Sequence, residues 1–321
     1  MFADDRSPAM PAYARRVAVR GGAWRRWWLY RMLRLTVRRQ QALGTDDIAS
    51  LRTHQAAIDA RFGRLAEDVA RTPVAAGGVA AEWVDLPGSK VDRILLYLHG
   101  GAFMFRFPRT HAALAAGWCR ALSARALMVD YRLAPEHRYP AAPDDCHDAY
   151  RWLLESGADP RNIVIAGDSA GANLVLVTLQ CIRDAGEPLP ACAVAISPIT
   201  DFTLSSPSLS ANAASDPMFT LAALVRLRSR YAPPEAVLEP AVSPLFGNWS
   251  RLPPILFQAG DIEMLRDDAL RAAARASAAG VAVEAEIWAD MAHVWHVMGL
   301  PQSDVASAHV IEFIRRRTGW T

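Results

Sequence analysis

The rhythm of apolar and polar positions changes near residue 80. Residues 23–39, AWRRWWLYRMLRLTVRR, contain no Pro or Gly, and their Trp, Tyr, Met and Leu residues alternate with arginines in a pattern that predicts a helix. A second helical stretch is expected over about 45–70, and TPVAAGG at 72–78 reads as a linker. From residue 80 onward, short β-branched or continuously apolar runs alternate with longer helical stretches. Strands are predicted at 82–86, 94–99, 126–131, 162–167, 192–197, 255–260 and 281–288. Runs such as ILLYLH and NIVIAG suit strands covered on both faces. Helices are predicted at about 110–124, 144–156, 171–185, 264–279 and 303–317, with Gly280 placed to end the fourth. This alternation predicts an α/β protein with a mostly parallel sheet and right-handed crossovers. The rhythm breaks at 200–250, which reads as an insertion above the sheet. The expected organisation is a core over 76–321, with a cap built from residues 1–75 and an insertion at about 200–245.

Composition narrows the possibilities. With 321 residues, 52% of them hydrophobic, the chain can bury a large core, which excludes disorder and a small disulfide-stapled fold. A formal net charge of +2 argues against a nucleic-acid binder. The basic residues are 34 Arg and one Lys, Lys90, and residues 1–40 hold ten Arg against Asp4 and Asp5. Cysteines stand at 119, 146, 181 and 192 without a Cys-x-x-Cys pair or a nearby His at ligand spacing. No metal, no disulfide framework and a reducing cytoplasmic setting are therefore expected. No apolar run reaches the length of a membrane span, and arginines interrupt the N-terminal apolar residues, against a secretory signal. The arginine-rich helix has two readings: a cap helix whose Trp and Leu residues cover a site mouth while its arginines stay solvated, or a helix lying on an anionic membrane. The cap is the favoured reading.

The chemistry concentrates in three places. GDSAG at 167–171 lies between an apolar strand and a helix, the arrangement of a nucleophile elbow. The tight turn needs Gly167 and Gly171 beside Ser169, and the helix N-terminus favours developing negative charge. HGGAF at 99–103 follows the strand ILLYL, and its consecutive glycines let backbone N–H groups converge on one point. Gly100 and Gly101, with the N–H of Ala170, are the expected oxyanion donors. A serine nucleophile needs a base, and of His293, His296 and His309 only His293 sits on the loop after the last predicted strand. His309 falls within the final helix. For the orienting acid the loop after ILFQAG offers Asp261 and Glu263, and chemistry alone does not separate them. No organic cofactor enters such a scheme.

These residues resemble the hormone-sensitive lipase family of α/β-hydrolases, the bacterial family IV carboxylesterases. The resemblance rests on HGGAF at 99–103, DYRLAPEHRYPAAPDD at 130–145, GDSAGAN at 167–173, DPMF at 216–219, SPLFGNWSRLPPILFQAGDIEMLRDD at 243–268 and MAHVW at 291–295. It covers essentially all of 80–321, whereas 1–75 match only as a helical cap. It implies an α/β-hydrolase fold, a mostly parallel central sheet flanked by helices with a helical cap. The implied activity is that of a serine carboxylesterase acting on short- to medium-chain esters through an acyl-enzyme. Lactone hydrolysis and deacetylation of a small metabolite would use the same triad. Plant gibberellin receptors resemble the family too, but lack the catalytic histidine that His293 supplies here. The family's spacing of acid and leucine, framed by Gly260 and Leu265, selects Glu263 where Asp is commoner and leaves Asp261 in reserve. Ala172 replaces a usual glycine, and His293-Val-Trp departs mildly from the family's last-loop motif. The YRLAPE segment is implied to brace the oxyanion loop, making Asp130, Arg132, Glu136 and Asp144 structural. Phe103, Phe219 and Trp295 are the candidate pocket residues. Family members often dimerise through the last strand, so a homodimer is a candidate assembly beside the small-molecule ester partner.

Overall fold

The computed structural model describes residues 10–39 and 47–321. Nine strands form one sheet: β1 (Ala14–Val17), β2 (Ala70–Ala76), β3 (Val79–Asp85), β4 (Ile94–Leu98), β5 (Arg125–Val129), β6 (Ile163–Asp168), β7 (Cys192–Ile196), β8 (Ile255–Gly260) and β9 (Val283–Trp288). The helices are α1 (Ala23–Leu33), α2 (Ile48–Phe62), α3 (Pro108–Leu122), α4 (Ala141–Glu155), α5 (Ala170–Asp184), α6 (Ser208–Ala211), α7 (Leu221–Tyr231), α8 (Arg266–Ala278) and α9 (Pro301–Thr318). The sheet order is β1-β9-β8-β7-β6-β4-β5-β3-β2, parallel throughout except where β3 pairs antiparallel with β5 and β2.

The continuously apolar strands are buried on both faces, as their composition implies. Ile94, Leu96 and Leu98 of β4 join one core with Cys146, Ala149 and Leu153 of α4 and the inner residues of α5. Leu95 and Tyr97 point the other way, into a second core with Trp118 and Cys119 of α3 and Val310, Phe313 and Ile314 of α9. Gly280, in the left-handed region at φ +82, follows α8 as expected, and Val281 N closes back on Ala276 O at 3.0 Å. The insertion after β7 carries α6 and α7.

Three expectations change near the N-terminus. The stretch 72–78 is mostly strand, because β2 pairs with all of β3 across a tight turn at Gly77 and Gly78, both at positive φ. Its residues are largely exposed, so no alternation marks it. The second helix ends at Phe62, with Gly63 capping it. The last strand is not at the sheet edge, because β1 pairs with Ala285–Trp288 of β9.

The arginine-rich helix forms, continuing as a π-helical turn over Arg34–Arg38, but its tryptophans are exposed where the cap reading had them covering a site mouth. Three of its arginines reach the rest of the chain: Arg26 pairs with Asp290 at 2.9 Å, Arg34 donates to Ser215 O at 2.8 Å, and Arg38 donates to Ala213 O and Asp216 O. Trp24, Trp27 and Trp28 face solvent.

Candidate active site

β6 runs out at Asp168, and α5 begins at Ala170; Ser169 between them adopts φ 55, ψ −118, a strained backbone for a residue with a Cβ. The turn is closed by Ser169 N donating to Ile196 O at 2.8 Å. A Cβ on Gly171 would lie 2.0 Å from Leu98 O, and one on Gly167 would lie 2.6 Å from the same atom, so only glycine fits at either position. His293, on the loop after β9, has Nε2 2.8 Å from Ser169 Oγ and Nδ1 2.6 Å from Glu263 Oε2. Glu263 is fully buried, and its other oxygen accepts Gly260 N at 2.8 Å. Asp261 instead pairs with Arg16 of β1 at 2.8 Å.

The acid loop is held by one residue of a named motif and by one, Asn212, that the sequence did not mark. Asp216, in DPMF, accepts Met264 N at 2.8 Å through one oxygen, and Met218 N and Phe219 N at 2.7 and 2.9 Å through the other. Asn212 donates to the carbonyls of Asp261 and Glu263. The histidine loop is held from α1: Ala292 N donates to Tyr30 Oη at 2.9 Å, and Tyr30 Oη donates to Asp290 O at 3.0 Å. Burial pushes the Tyr30 phenol up, so it remains a neutral donor and acceptor.

The glycine loop departs from expectation at its first donor. Gly100 N donates to Asp168 Oδ1 at 3.0 Å and so is already engaged. Asp168 also accepts Tyr97 Oη at 2.8 Å and stands 3.3 Å from His111 Nε2. Burial works to raise its carboxyl, but the charge of His111 and the hydrogen bonds from His111, Tyr97 and Gly100 outweigh it and hold the group at about 2. Gly101 lies at φ +125 and Ala102 at φ +56, which turn the next peptides away from the strand direction. Beneath this loop, Tyr131 Oη donates to His99 O at 2.6 Å and Ala134 N donates to Phe103 O at 2.9 Å. The YRLAPE segment thus braces it. Arg132 forms a forked pair with Asp145, while Glu136 pairs with Arg52 of α2 and Asp130 with Arg106.

Of the three candidate pocket residues, Phe219 stands beside the site, its ring edge-on to His293 with centroids 4.7 Å apart. Phe103 is buried in an aromatic group, stacked on Tyr231 at 3.7 Å and tilted against Phe202. Trp295 is fully buried against Trp288, away from any opening, because it packs under β9. His296 is buried with Nε2 2.7 Å from Gln258 Oε1, and desolvation pushes it down to about 3. His309 lies in α9 against Glu286. Among the described residues, no group of three or more His, Cys, Asp or Glu could hold a metal ion, and no helix is long and apolar enough to cross a membrane.

Comparison with known proteins agrees with this architecture. Residues 95–297 match a family model described as the alpha/beta hydrolase fold. An acetyl-hydrolase of Streptomyces hygroscopicus is 41% identical over 77% of this chain and 83% of its own length. The carboxylesterase/phospholipase LipF of Mycobacterium tuberculosis is 34% identical over 80% of this chain and 72% of its own. Among solved structures, an esterase from the bacterial hormone-sensitive lipase family superposes with a TM-score of 0.87 at 36% identity, covering 93% of this chain and 100% of that one. The chain belongs to the α/β-hydrolase family, in its hormone-sensitive lipase branch.

Proposed function

We propose that the protein is a serine carboxylesterase that hydrolyses short- to medium-chain esters through an acyl-enzyme. The observation carrying this reading is the unbroken hydrogen-bonded run from Glu263 through His293 to Ser169 on a strained elbow. Its esterase and acetyl-hydrolase relatives support ester hydrolysis, and the latter support the short end of the acyl range.

In this mechanism His293 Nε2 takes the Ser169 Oγ proton as that oxygen attacks the ester carbonyl, and Glu263 stabilises the imidazolium through Nδ1–H. The oxyanion is received by the N–H groups of Gly101, Ala102 and Ala170. Gly100 is excluded because its donor is spent on Asp168. Ala170 opens α5, so its N–H has no carbonyl within the helix. His293 then gives its proton to the leaving alcohol, takes another from the water that attacks the acyl-enzyme, and passes that proton to Ser169 Oγ as the acid product leaves. Phe219 edges the acyl or alcohol side of His293. The four cysteines are unpaired, which supports the cytoplasmic setting expected from the sequence.

The reading is tested with p-nitrophenyl esters of increasing acyl length beside lactones of matching size. The expected result is an optimum kcat/KM at short to medium chains and weaker turnover of lactones. An optimum on long-chain emulsions, or on lactones, overturns the substrate assignment.

A further inference from the structure

We propose that the outer face of α1 docks on an anionic lipid surface, a property separate from ester hydrolysis. Helices on globular proteins turn their large apolar side chains inward. This one turns Tyr30 inward but leaves most of its large apolar side chains out: Trp24, Trp27 and Trp28 are 72%, 54% and 43% exposed, and Met32, with Leu35 in the turn that follows, 51% and 54%. The three indoles form one edge-to-face group, with centroids 5.8 Å apart for Trp24 and Trp28 and 5.1 Å apart for Trp27 and Trp28. They are therefore a single apolar patch, and patches of this kind mark contact with something other than water.

Charge identifies the occupant. Residues 23–39 carry Arg25, Arg26, Arg31, Arg34, Arg38 and Arg39 and no acidic residue. Against the protein, Arg26, Arg34 and Arg38 are engaged by Asp290 and by the carbonyls of 213–216, while Arg25 and Arg31 have no carboxylate partner among the described residues. Beside the patch runs a groove of about 480 Å³ lined by Arg26, Trp27, Tyr30, Arg31, Arg34 and Asp290 among others. Arg31, lying 5.7 Å over the Trp27 ring, sits where apolar patch and groove meet. Indole rings prefer the depth of lipid headgroups, and arginines beside them take phosphate. A second copy is a poor fit, because a two-fold contact would set Arg25 and Arg31, which have no carboxylate partner among the described residues, against their own copies.

The test is flotation of the full chain with vesicles of phosphatidylcholine alone and of phosphatidylcholine mixed with phosphatidylglycerol, at low and high salt. The expected result is binding to the mixed vesicles only, weakened by salt. Binding should weaken roughly fivefold for each arginine removed in Arg25→Gln and Arg31→Gln. It should be lost in a Trp24→Ser, Trp28→Ser double variant whose melting temperature matches the parent. No binding to the mixed vesicles at low salt overturns the proposal. So does equal binding to both lipids, or binding by the tryptophan variant at parental strength. Self-association that disappears in that variant, without vesicle binding, would assign the face to a second copy instead.

Discussion

Glu263 occupies a position where the resemblance leads one to expect aspartate, and its two carboxylate oxygens answer two donors, the Gly260 N–H and the His293 imidazole. Replacing it by Gln keeps the shape but removes the charge that steadies the imidazolium. Glu263→Gln should lower kcat by about 10³–10⁴, measured on a short-chain p-nitrophenyl ester. Asp261→Asn should stay close to the parent, since Asp261 faces the exposed Arg16. Equal losses in the two variants would reassign the acid. Tyr30 acts at one remove: it touches no reacting atom, yet its hydroxyl fixes Ala292, the residue before His293. Tyr30→Phe should lower kcat by about 10-fold or more with KM little changed, in line with the cost of small misplacements at a reacting centre. A parental kcat in that variant would mean the loop holds itself. Ser169 and His293 are legible in the sequence because motif and chain order confine them. The acid needed the spacing of Gly260 and Leu265, and Tyr30 carries no signal because its partner is 262 positions away.

Elements were legible wherever burial wrote a pattern. Strands β4 to β8 are largely apolar because helices cover them, so their runs could be read directly. β1 is four residues long, and β2 is mostly exposed at the sheet edge; neither has an apolar face to write a period. The orientation of α1 was illegible for a related reason. Its arginines find acceptors only in loops distant in sequence, so the spacing predicts a helix but not which side docks. The engagement of the Gly100 N–H is illegible for a similar reason, because its acceptor, Asp168, lies 68 positions away in the next motif. The elbow itself allows a sharp prediction. Gly171→Ala forces a Cβ onto the Leu98 carbonyl, so α5 must shift and carry Ala170 with it. Activity should collapse, and stability should fall by about 1–3 kcal/mol, as overpacking commonly costs. A thermal melt and a turnover assay check both. An active variant with a parental melting temperature would show that the turn has slack.

Across the whole molecule, buried titratable groups set the response to acid. Desolvation drives the folded-state values of both His99 and His296 down to about 3 from 6.5; at His99 the nearby His111 adds to it. Below pH 6.5 the unfolded chain takes up protons that the folded one refuses, so each histidine costs roughly 1.4 kcal/mol per pH unit as pH falls toward 3. Asp268 runs the other way. Burial raises it to about 6 from 3.8, against hydrogen bonds from Ser206 and Thr200, so it adds stability as pH falls through that interval and offsets one of the two histidines. The net expectation is a stability that declines as pH falls from 6 to 4, because the two histidines outweigh Asp268. Urea melts at stepped pH measure it, and a flat profile over that interval would show that these groups open to water before the protein unfolds.

The central claim is that ester hydrolysis passes through an acyl group on Ser169, activated by His293. The most direct measurement is rapid acid quenching of the enzyme with a p-nitrophenyl ester, followed by intact mass and peptide mapping. One acyl group should be found on the peptide carrying Ser169, with a matching burst of nitrophenol. Ser169→Ala should abolish both adduct and burst. Turnover that survives in Ser169→Ala, or an acyl group mapped to another residue, would contradict it.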